Sequence, residues 1–513
     1  MKSLLNFLSL KNVLICFIFI VSIVKVPLAN KGFLFFPDEG RYTQSGKALK
    51  ALSEGKFNEA VTYVHSVQGR PLSAILHMIP SALQFITAKS TESSEIFSPK
   101  NSIWIFVYNI IVYIFLLFII YKLVTFYTNQ DLGLLAALIY ATLDSSFIYL
   151  RHALCYETAL AAFLWVQYLI AKNEKSAIVL GSLNFCAYLI YPGYVLLFLF
   201  NSMFFIFKAF QFNKFVKRST QFLLGILFTL AIAEAFSRIG SISFLSSSKT
   251  LSSTVKLGDF SQTFVFLFQF LTEVEGLRGI ILIAGFISFP IILLLSKNMI
   301  NHHLKNEFLF TYFGSVFLYC LYAFNGYFLH NSVFYARITH QFIPFLILLL
   351  CVLIFISIES KKYIKPIYIV LSVCFTILYT PSIWAFYQLE YPKDIEYQLP
   401  TNANIYKGYE YEKKFYTINH RKIEYNSKDS LEYHPNLEVH SQSKPMFLTV
   451  NQAFFIPTDT IKYFRKIPIP KHFKEIFNKP HPLMYVGYQF EGHNLQSRKN
   501  LQLFQMRLKI YSK

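Results

Sequence analysis

Two adjacent carboxylates follow the first apolar segment of the chain directly. The sequence there reads Phe35-Phe36-Pro37-Asp38-Glu39-Gly40-Arg41-Tyr42. Charge beside an apolar segment is costly, so such groups need a partner or a chemical role. A carboxylate in a partly dry site has a raised pKa and can serve as a general base. The alternative is an exposed helix start, where acidic residues favour the helix dipole. Asp38 and Glu39 are therefore candidate catalytic residues.

Four arginines lie near the ends of apolar segments and are candidate ligands for a phosphate. They are Arg41, Arg70, Arg151 and Arg337. A guanidinium group stays charged and binds phosphate oxygens through two parallel hydrogen bonds. Each arginine also has a structural alternative. Arg41 would pair with the neighbouring carboxylates, Arg70 would be a solvated loop residue, and the other two would extend from helix ends to the membrane surface.

Glu157 is a further candidate, because it lies inside an apolar segment. A charge at the centre of such a segment costs roughly 2.5–3.5 kcal/mol, so we expect a partner, for which Arg151 is the nearest basic residue. Tyr42, His152 and Tyr335 adjoin these charges in the sequence and complete the candidate binding set.

The elements that must position these residues are membrane-spanning helices. The chain has 513 residues, of which 54% are hydrophobic and only 15% charged, whereas a soluble domain has about 25% charged residues. This composition excludes a disordered chain, a disulfide scaffold and an ordinary cytosolic enzyme. A span needs about 20 apolar residues, and eleven segments qualify. They are about 13–29, 102–121, 132–150, 153–171, 176–190, 194–212, 219–238, 279–296, 307–325, 338–358 and 366–385.

The basic residues of the short loops predict the orientation. Six basic clusters fall on one side if the N-terminus is cytoplasmic and there are eleven spans. They are Lys2 with Lys11; Lys122; Lys172 with Lys175; Lys208, Lys214, Lys217 and Arg218; Lys297 with Lys305; and Lys361, Lys362 and Lys365. The first outer loop (about 30–101) and the loop at about 239–278 then lie outside. The first segment is expected to be a retained anchor; a cleaved signal peptide is the alternative.

The net charge of +20 and the six cysteines add no further function. Lysines and arginines on cytoplasmic loops explain the charge, so no nucleic-acid partner is expected. The cysteines have no paired spacing, and no nucleotide-binding glycine motif is present.

The chain from 386 to 513 has a different composition from the rest. Long apolar runs end there, and we predict strands at 446–450, 483–486 and 501–508 and one short helix at 473–477. The chain thus divides into a transmembrane domain (1–385) and a small extracytoplasmic α+β domain (386–513).

The first motif resembles the C-type glycosyltransferase superfamily, and most closely the protein O-mannosyltransferase and aminoarabinose transferase families. Further similar elements follow in the same order over about 1–360. They are Gly69-Arg70-Pro71-Leu72 at the start of a juxtamembrane helix, the run from Leu150 to Glu157, Tyr335-Ala336-Arg337, and Phe342-Ile343-Pro344-Phe345. The chain departs from those families in lacking a second proline before Leu72 and in having Tyr191-Pro192-Gly193 where Thr-Lys is often found.

The resemblance implies an inverting transferase that takes a sugar from a polyprenyl-phosphate donor. Asp38 is implied as the base, and Glu39 either supports it or holds a divalent metal ion. Arg41, Arg70, Arg151 and Arg337 are all predicted at the outer face, where the phosphate of such a donor would lie, and guanidinium chemistry suits them to bind it. The acceptor would be an envelope glycan, a lipid or a protein at the outer face of a bacterial inner membrane, as in lipopolysaccharide modification.

Two other functions fit a polytopic membrane protein. One is a transporter or flippase of lipid-linked sugars, and the other is a scaffold that displays the C-terminal domain. Transporters often have repeated halves and charges near the bilayer midplane. The candidate charges here lie toward one face and no repeat is visible, which favours the enzyme.

Overall fold

Helices form most of the chain that the computed structural model describes. The described residues are 9–29, 42–66, 69–88, 103–173, 175–211, 215–246, 263–295, 302–330, 336–357, 361–388, 404–409, 414–418, 446–451, 474–480 and 507–512. The helices are α1 (Leu10–Ile23), α2 (Tyr42–Ser53), α3 (Phe57–Ser66), α4 (Pro71–Ala88), α5 (Ile103–Tyr127), α6 (Gln130–Ala141), α7 (Asp144–Arg151), α8 (Tyr156–Lys172), α9 (Ala177–Ile190), α10 (Val195–Gln211), α11 (Phe215–Ile239), α12 (Phe266–Val274), α13 (Leu277–Leu295), α14 (His302–Tyr327), α15 (Ala336–Thr339), α16 (Ile343–Ser357) and α17 (Lys361–Tyr387). Short 3-10 turns lie at Val26–Leu28, Pro192–Tyr194 and His340–Phe342.

Nine helices in the described part of the chain are long and apolar enough to cross a membrane. Eight of them coincide with predicted spans, in agreement with the prediction of a helical membrane protein. The ninth is α4, which we predicted as a juxtamembrane helix. The predicted spans at 132–150, 153–171 and 176–190 contain the shorter helices α6, α8 and α9, of 12, 17 and 14 residues.

The predicted span at 132–150 is not one continuous helix. α6 ends at Ala141, Leu143 has extended backbone (φ −80°, ψ 141°), and α7 begins at Asp144. Serine and aspartate hydrogen-bond to nearby backbone groups and favour helix starts over helix interiors. The polar run from Asp144 to Ser146 therefore interrupts a segment whose average hydropathy predicts a single helix.

Side-chain contacts show how neighbouring helices are directed. α5 and α8 run parallel, because Tyr108 contacts Thr158 near their starts (Oη to Oγ1, 3.3 Å) and Phe126 contacts Tyr168 near their ends. α9 returns, since Tyr191 directly after it packs on Tyr156 with ring centroids 4.7 Å apart. Chain direction therefore reverses from α8 to α9.

The contacts divide the bundle into two ends. We call one the polar end; it holds Lys25, Asp144, Glu157, Arg278 and His340, joined by the contacts described below. We call the other the basic end; it holds Tyr127, Lys208 and Glu307. At the polar end α1, α6, α9 and α17 finish, while α5, α8, α13 and α16 begin.

Helix α4 lies across the polar end rather than running from one end to the other. Leu72, near its start, packs on the cluster that contains Leu189 of α9. Thr87, near its finish, accepts a hydrogen bond from Trp104 Nε1 of α5 (2.9 Å). Both neighbours belong to the polar end. One face of α4 is buried and includes Ser73, His77, Ser81 and Gln84, whereas Ile75, Ile79, Leu83 and Ile86 are exposed on the opposite face.

Two glycines allow α9 and α11 to pack closely. A Cβ on Gly181 would lie 2.0 Å from the carbonyl oxygen of Phe222, and one on Gly225 would lie 2.1 Å from that of Ile178. Ser182 Oγ donates to the Gly225 carbonyl at 3.1 Å. Small residues commonly mediate such close helix contacts within membranes.

The described parts of the C-terminal region are strands. They are β1 (Asn404–Tyr409), β2 (Lys414–Ile418), β3 (Met446–Asn451), β4 (Lys474–Pro480) and β5 (Arg507–Ser512), in the sheet order β2-β1-β3-β5-β4. β1 and β3 pair in parallel, and the other neighbours are antiparallel.

The strand prediction at 446–450 is confirmed by β3. The helix predicted at 473–477 is wrong, because β4 pairs with β5 there and cross-strand partners override a local helical pattern. The predicted strand at 483–486 and most of that at 501–508 lie outside the described residues, which resume at Arg507.

Candidate functional site

The first turn of α8 is the centre of the candidate site. Four consecutive residues there each contact a different element. Cys155 lies beside Arg70, Tyr156 packs on Tyr191, Glu157 bonds to residues of α6 and of the turn before α16, and Thr158 contacts α5. Side chains that are far apart in the sequence therefore meet at one point of the polar end.

Glu157 is buried, with 5% of its surface exposed, and belongs to a three-membered network. Tyr140 Oη lies 2.8 and 2.9 Å from the two carboxylate oxygens, so the hydroxyl donates to the carboxylate. His340 Nε2 lies 2.9 Å from Glu157 Oε1 and 3.1 Å from Tyr140 Oη. With the carboxylate ionised, His340 must carry its proton on Nε2, since the carboxylate only accepts hydrogen bonds.

Glu157 was predicted from the sequence as a site residue, but its partners were not. The residue lies in the first turn of α8. The expected partner, Arg151, has a side chain outside the described parts of the chain, and the partners that are described are Tyr140 and His340. His340 is 183 residues away in the sequence, so no local spacing could have indicated it.

Tyr42, the last residue of the first motif, is buried with 1% exposure at the start of α2. Its hydroxyl donates to Gln84 Oε1 at 2.9 Å, and its ring packs edge-on against His77 of α4. His77 contacts Tyr108 on its other side, with centroids 5.4 Å apart. Burial raises the pKa of the Tyr42 hydroxyl, which therefore stays protonated at neutral pH and acts as a donor.

Arg70 is buried at the start of α4, which rules out the solvated-loop alternative. Only 6% of the residue is exposed. Its guanidinium lies 4.5 Å from the ring centroid of Tyr191, and Nη1 lies 3.9 Å from Cys155 Sγ. An aromatic face attracts a desolvated cation electrostatically. The cation is thus held next to the first turn of α8.

Arg151, His152 and Arg337 also lie at the polar end. Arg151 is the last residue of α7, and His152 follows it with no exposed surface. The carbonyl of His152 accepts a hydrogen bond from Asn109 Nδ2 at 2.9 Å. Arg337 is partly exposed in the short helix α15, three residues before His340. The Glu157–His340 contact therefore brings the Arg337 segment to α8.

Four of the predicted site residues lie outside the described residues. They are Asp38, Glu39, Arg41 and Tyr335. Their assignments remain predictions.

A second buried network at the polar end was missed by sequence analysis. Lys25 has no exposed surface; its Nζ donates to the Ala141 carbonyl and lies 2.9 Å from Ser146 Oγ. Arg278 Nη2 lies 3.0 Å from Asp144 Oδ1, and Nη1 donates to the Thr142 carbonyl. In the sequence, these residues are far apart and nothing pairs them with one another. The only signal for a functional role was their position inside or at the end of an apolar segment.

Glu275 is the remaining member of this network. It is 1% exposed. Its oxygens accept from the backbone N–H groups of Asp144 (2.8 Å) and Ser145 (3.0 Å). Arg278 Nη2 lies 3.8 Å from Glu275 Oε2. Two acidic and two basic side chains thus meet where α6 is interrupted.

Within the described residues, no group of three or more His, Cys, Asp or Glu side chains is arranged to hold a metal ion. The implied metal ligand Glu39 lies outside those residues. The divalent metal ion therefore stays a prediction from the resemblance.

Comparisons of the chain with protein-family models, with curated proteins and with solved structures found no match. The geometry of the polar end is therefore the basis for assigning a function.

Proposed function

We propose that the chain is a membrane glycosyltransferase that moves a sugar from a polyprenyl-phosphate donor to a lipid, glycan or protein acceptor. The observation that carries the proposal is the convergence of Tyr42, Arg70, His152 and Glu157 around the first turn of α8. These residues come from three separate segments between positions 42 and 157, and each is also a candidate on the sequence alone. A lipid phosphate lies at the bilayer surface, and one end of a helix bundle is where a protein meets it.

The proposal includes eleven spans with the N-terminus in the cytoplasm of a bacterium. In the proposed arrangement, eleven helices of the described chain would connect the two ends alternately; they are α1, α5, α6, α8, α9, α10, α11, α13, α14, α16 and α17. In this arrangement the three long connections, at 30–102, 240–276 and after 388, all leave from the polar end. The six basic clusters then fall at the opposite end, as the positive-inside rule requires of the cytoplasmic side.

In the proposed reaction, the acceptor oxygen or nitrogen attacks the anomeric carbon of the sugar with inversion. The bond between that carbon and the phosphate oxygen breaks, and polyprenyl phosphate leaves with the bonding electron pair. Asp38 takes the proton of the acceptor. Arg70 and Arg337 compensate the charge on the leaving phosphate, and a cation on a dry, aromatic surface does so more strongly than one in water.

Tyr42 supports the assignment of Asp38 through chain connectivity. Tyr42 is anchored in the site by Gln84 and His77. Four residues of extended chain reach at most about 14 Å, so the backbone of Asp38 lies no farther than this from that of Tyr42. The resemblance assigns the base to the same residue.

Replacement of Asp38 by Asn tests the proposal. We expect the transfer rate to fall about 10²–10⁴-fold, the usual contribution of a positioned base, with donor binding nearly unchanged because arginines hold the phosphate. The assay supplies purified protein with a panel of polyprenyl-phosphate sugars and acceptor membranes. It measures release of polyprenyl phosphate, which is the common product whatever the sugar.

Glu54→Gln is the matched control, because Glu54 is an exposed acid of α2 whose ion pair with Lys56 lies at the surface. Such a pair contributes little. Retention of more than about a tenth of the rate by Asp38→Asn would exclude Asp38 as the base. Movement of labelled donor across vesicles without release of polyprenyl phosphate would instead favour the flippase.

The topology has its own test. In a variant without native cysteines, a cysteine that replaces Val450 in β3 should react with an impermeant thiol reagent added to the outer side of intact cells. A cysteine at Lys305, near the start of α14, should react only after permeabilisation. The reverse pattern would contradict the proposed orientation.

A further inference from the structure

We propose that Glu275 and Asn109 are positioning residues that hold α7 from its two ends and thereby fix the positions of His152 and Glu157 at the donor site. This inference rests on the proposed function. It concerns residues that contact none of the reacting groups and that act through the backbone of α7.

The N-terminus of α7 has no local cap. The residue at the capping position is Leu143, whose side chain cannot accept a hydrogen bond, and the first N–H groups of any helix lack partners within the helix. Glu275 supplies two of the missing acceptors, with one oxygen 2.8 Å from the Asp144 nitrogen and the other 3.0 Å from the Ser145 nitrogen. A carboxylate at this position is also favoured by the helix dipole.

The carboxylate of Glu275 is itself held in place. Arg278, one turn later at the start of α13, lies 3.8 Å from it and 3.0 Å from the Asp144 carboxylate. The same guanidinium bonds to the Thr142 carbonyl, and Lys25 bonds to the Ala141 carbonyl. The backbone groups that the interruption of α6 leaves without helical partners are therefore bound by charged side chains from the turn after α1 and from the α12–α13 junction.

The C-terminus of α7 is held by α5. Asn109 is 6% exposed, and its Nδ2 donates to the carbonyls of Leu150 (3.1 Å) and His152 (2.9 Å). These carbonyls belong to the last turn of α7 and to the residue after it, where intrahelical donors run out. Because the Asn109 amide binds the carbonyls of the residues before and after Arg151, it fixes the direction in which the chain leaves α7 for α8.

The contacts of Glu275 and Asn109 with α7 fix the position of the chain segment that enters the site. Arg151 and His152 lie at the end of α7, and Glu157 follows in the first turn of α8. Since α7 is only 8 residues long, a loosened end displaces the whole helix. A shift of about 1 Å in a positioned group reduces rates by on the order of 10²-fold.

The first experiment measures α7 without using activity. Four of the six cysteines are replaced so that Cys155, just after α7, and Cys351, in α16, remain; both are buried. Labelling by a permeant maleimide is followed at each thiol by mass spectrometry. In Glu275→Gln and Asn109→Leu, we expect Cys155 to react at least about tenfold faster, as loss of buried hydrogen bonds implies, while Cys351 reacts at its original rate.

Matched controls remove similar groups away from α7. Asn201→Leu removes a buried amide whose Nδ2 donates to the Phe163 carbonyl at 3.0 Å, and Glu307→Gln removes a buried carboxylate at the basic end. Neither should change the ratio of the two labelling rates. If Glu275→Gln and Asn109→Leu accelerate both thiols equally, or neither, the positioning of α7 is disproved.

The second experiment measures transfer by the same variants with all cysteines present. We expect Glu275→Gln and Asn109→Leu to raise the donor KM and to lower kcat/KM by on the order of 10²-fold, whereas the controls keep the donor KM of the original protein. Selective labelling of Cys155 with unchanged transfer would overturn the role in the site. Absence of transfer by the unaltered protein would instead contradict the proposed function, while the labelling result still decides whether Glu275 and Asn109 hold α7.

Discussion

The two ends of the helix bundle both bury charged side chains, but they use them differently. At the basic end, Lys208 Nζ lies 2.5 Å from Glu307 Oε1, and Tyr127 donates to Glu307 Oε2 at 3.2 Å. These three side chains bond to one another between continuous helices. At the polar end, the charges of Lys25, Glu275 and their neighbours bind backbone groups where a helix is interrupted.

This difference indicates two purposes for buried charge. An ion pair between the side chains of two continuous helices joins helices that would pack in much the same way without it. Such pairs are often replaceable by apolar residues. Charges that bind freed carbonyl and N–H groups permit a non-helical backbone inside a membrane protein, where lipid offers no hydrogen bonds. We therefore expect damage at the basic end to affect stability and damage at the polar end to affect transfer.

Glu307→Gln should have the largest effect on stability. It leaves Lys208, which is 8% exposed, without its carboxylate, and removal of one partner of a buried pair costs about 3–5 kcal/mol. The free energy of unfolding is measured by denaturant titration in mild detergent. The folded fraction should transfer sugar at the original specific rate.

The double variant Lys208→Met, Glu307→Leu is the control for this comparison. It removes both charges. Its free energy of unfolding should lie within about 1 kcal/mol of that of the unaltered protein, or above it. Loss of specific activity in Glu307→Gln would show that damage at the basic end also affects transfer.

Glu157→Gln should reduce transfer more than stability, the reverse of Glu307→Gln. The glutamine amide keeps one oxygen that can accept from Tyr140. His340 then contacts either the amide nitrogen or an uncharged oxygen in place of the carboxylate oxygen. We expect kcat/KM to fall on the order of 10²-fold, equivalent to about 2.7 kcal/mol, with a smaller loss of stability. Gln167→Leu, in the same helix and 1% exposed, should leave kcat/KM unchanged. Equal losses in both variants would mean that α8 contributes only packing.

Ile79→Lys in α4 should have the smallest effect and tests whether α4 lies across the polar end. Ile79 is 58% exposed, and so is Ile114 in the middle of α5. A lysine costs roughly 2.5–3.5 kcal/mol at the centre of a span and much less at the interface. Membrane insertion and unfolding should therefore tolerate Ile79→Lys but not Ile114→Lys. Equal costs would make α4 a further span that crosses the bilayer, in addition to the eleven proposed.

Apolar length predicted most of the helices, and it failed where polar residues interrupt a long segment. The run from Asp144 to Ser146 lies within a segment whose mean hydropathy is still high, so averaging concealed the end of α6. The helix predicted at 473–477 failed for a different reason. Phe473 and Phe477 have helical spacing, but pairing of β4 with β5, far along the chain, decides the local conformation.

The candidate site was predictable only where its signal is local. The first motif is contiguous, and Glu157 is conspicuous as a charge inside an apolar segment. Pairings such as Glu157 with His340, or Thr142 with Arg278, span 183 and 136 residues. No spacing rule connects such positions in one sequence, and each charge taken singly reads as a residue at a helix end.

The capping of α7 by Glu275 has a consequence for biosynthesis. The carboxylate is 131 residues after the N–H group that it binds, and ribosomes add about 5–20 residues per second, so α7 waits roughly 7–26 s for its cap. During that interval Lys25 and Asp144 have no Arg278 or Glu275 beside them, and charged groups remain hydrated until partners arrive. The network around Glu275 therefore forms only after α12 and the start of α13 have emerged, and α7 must be held at the membrane surface until then.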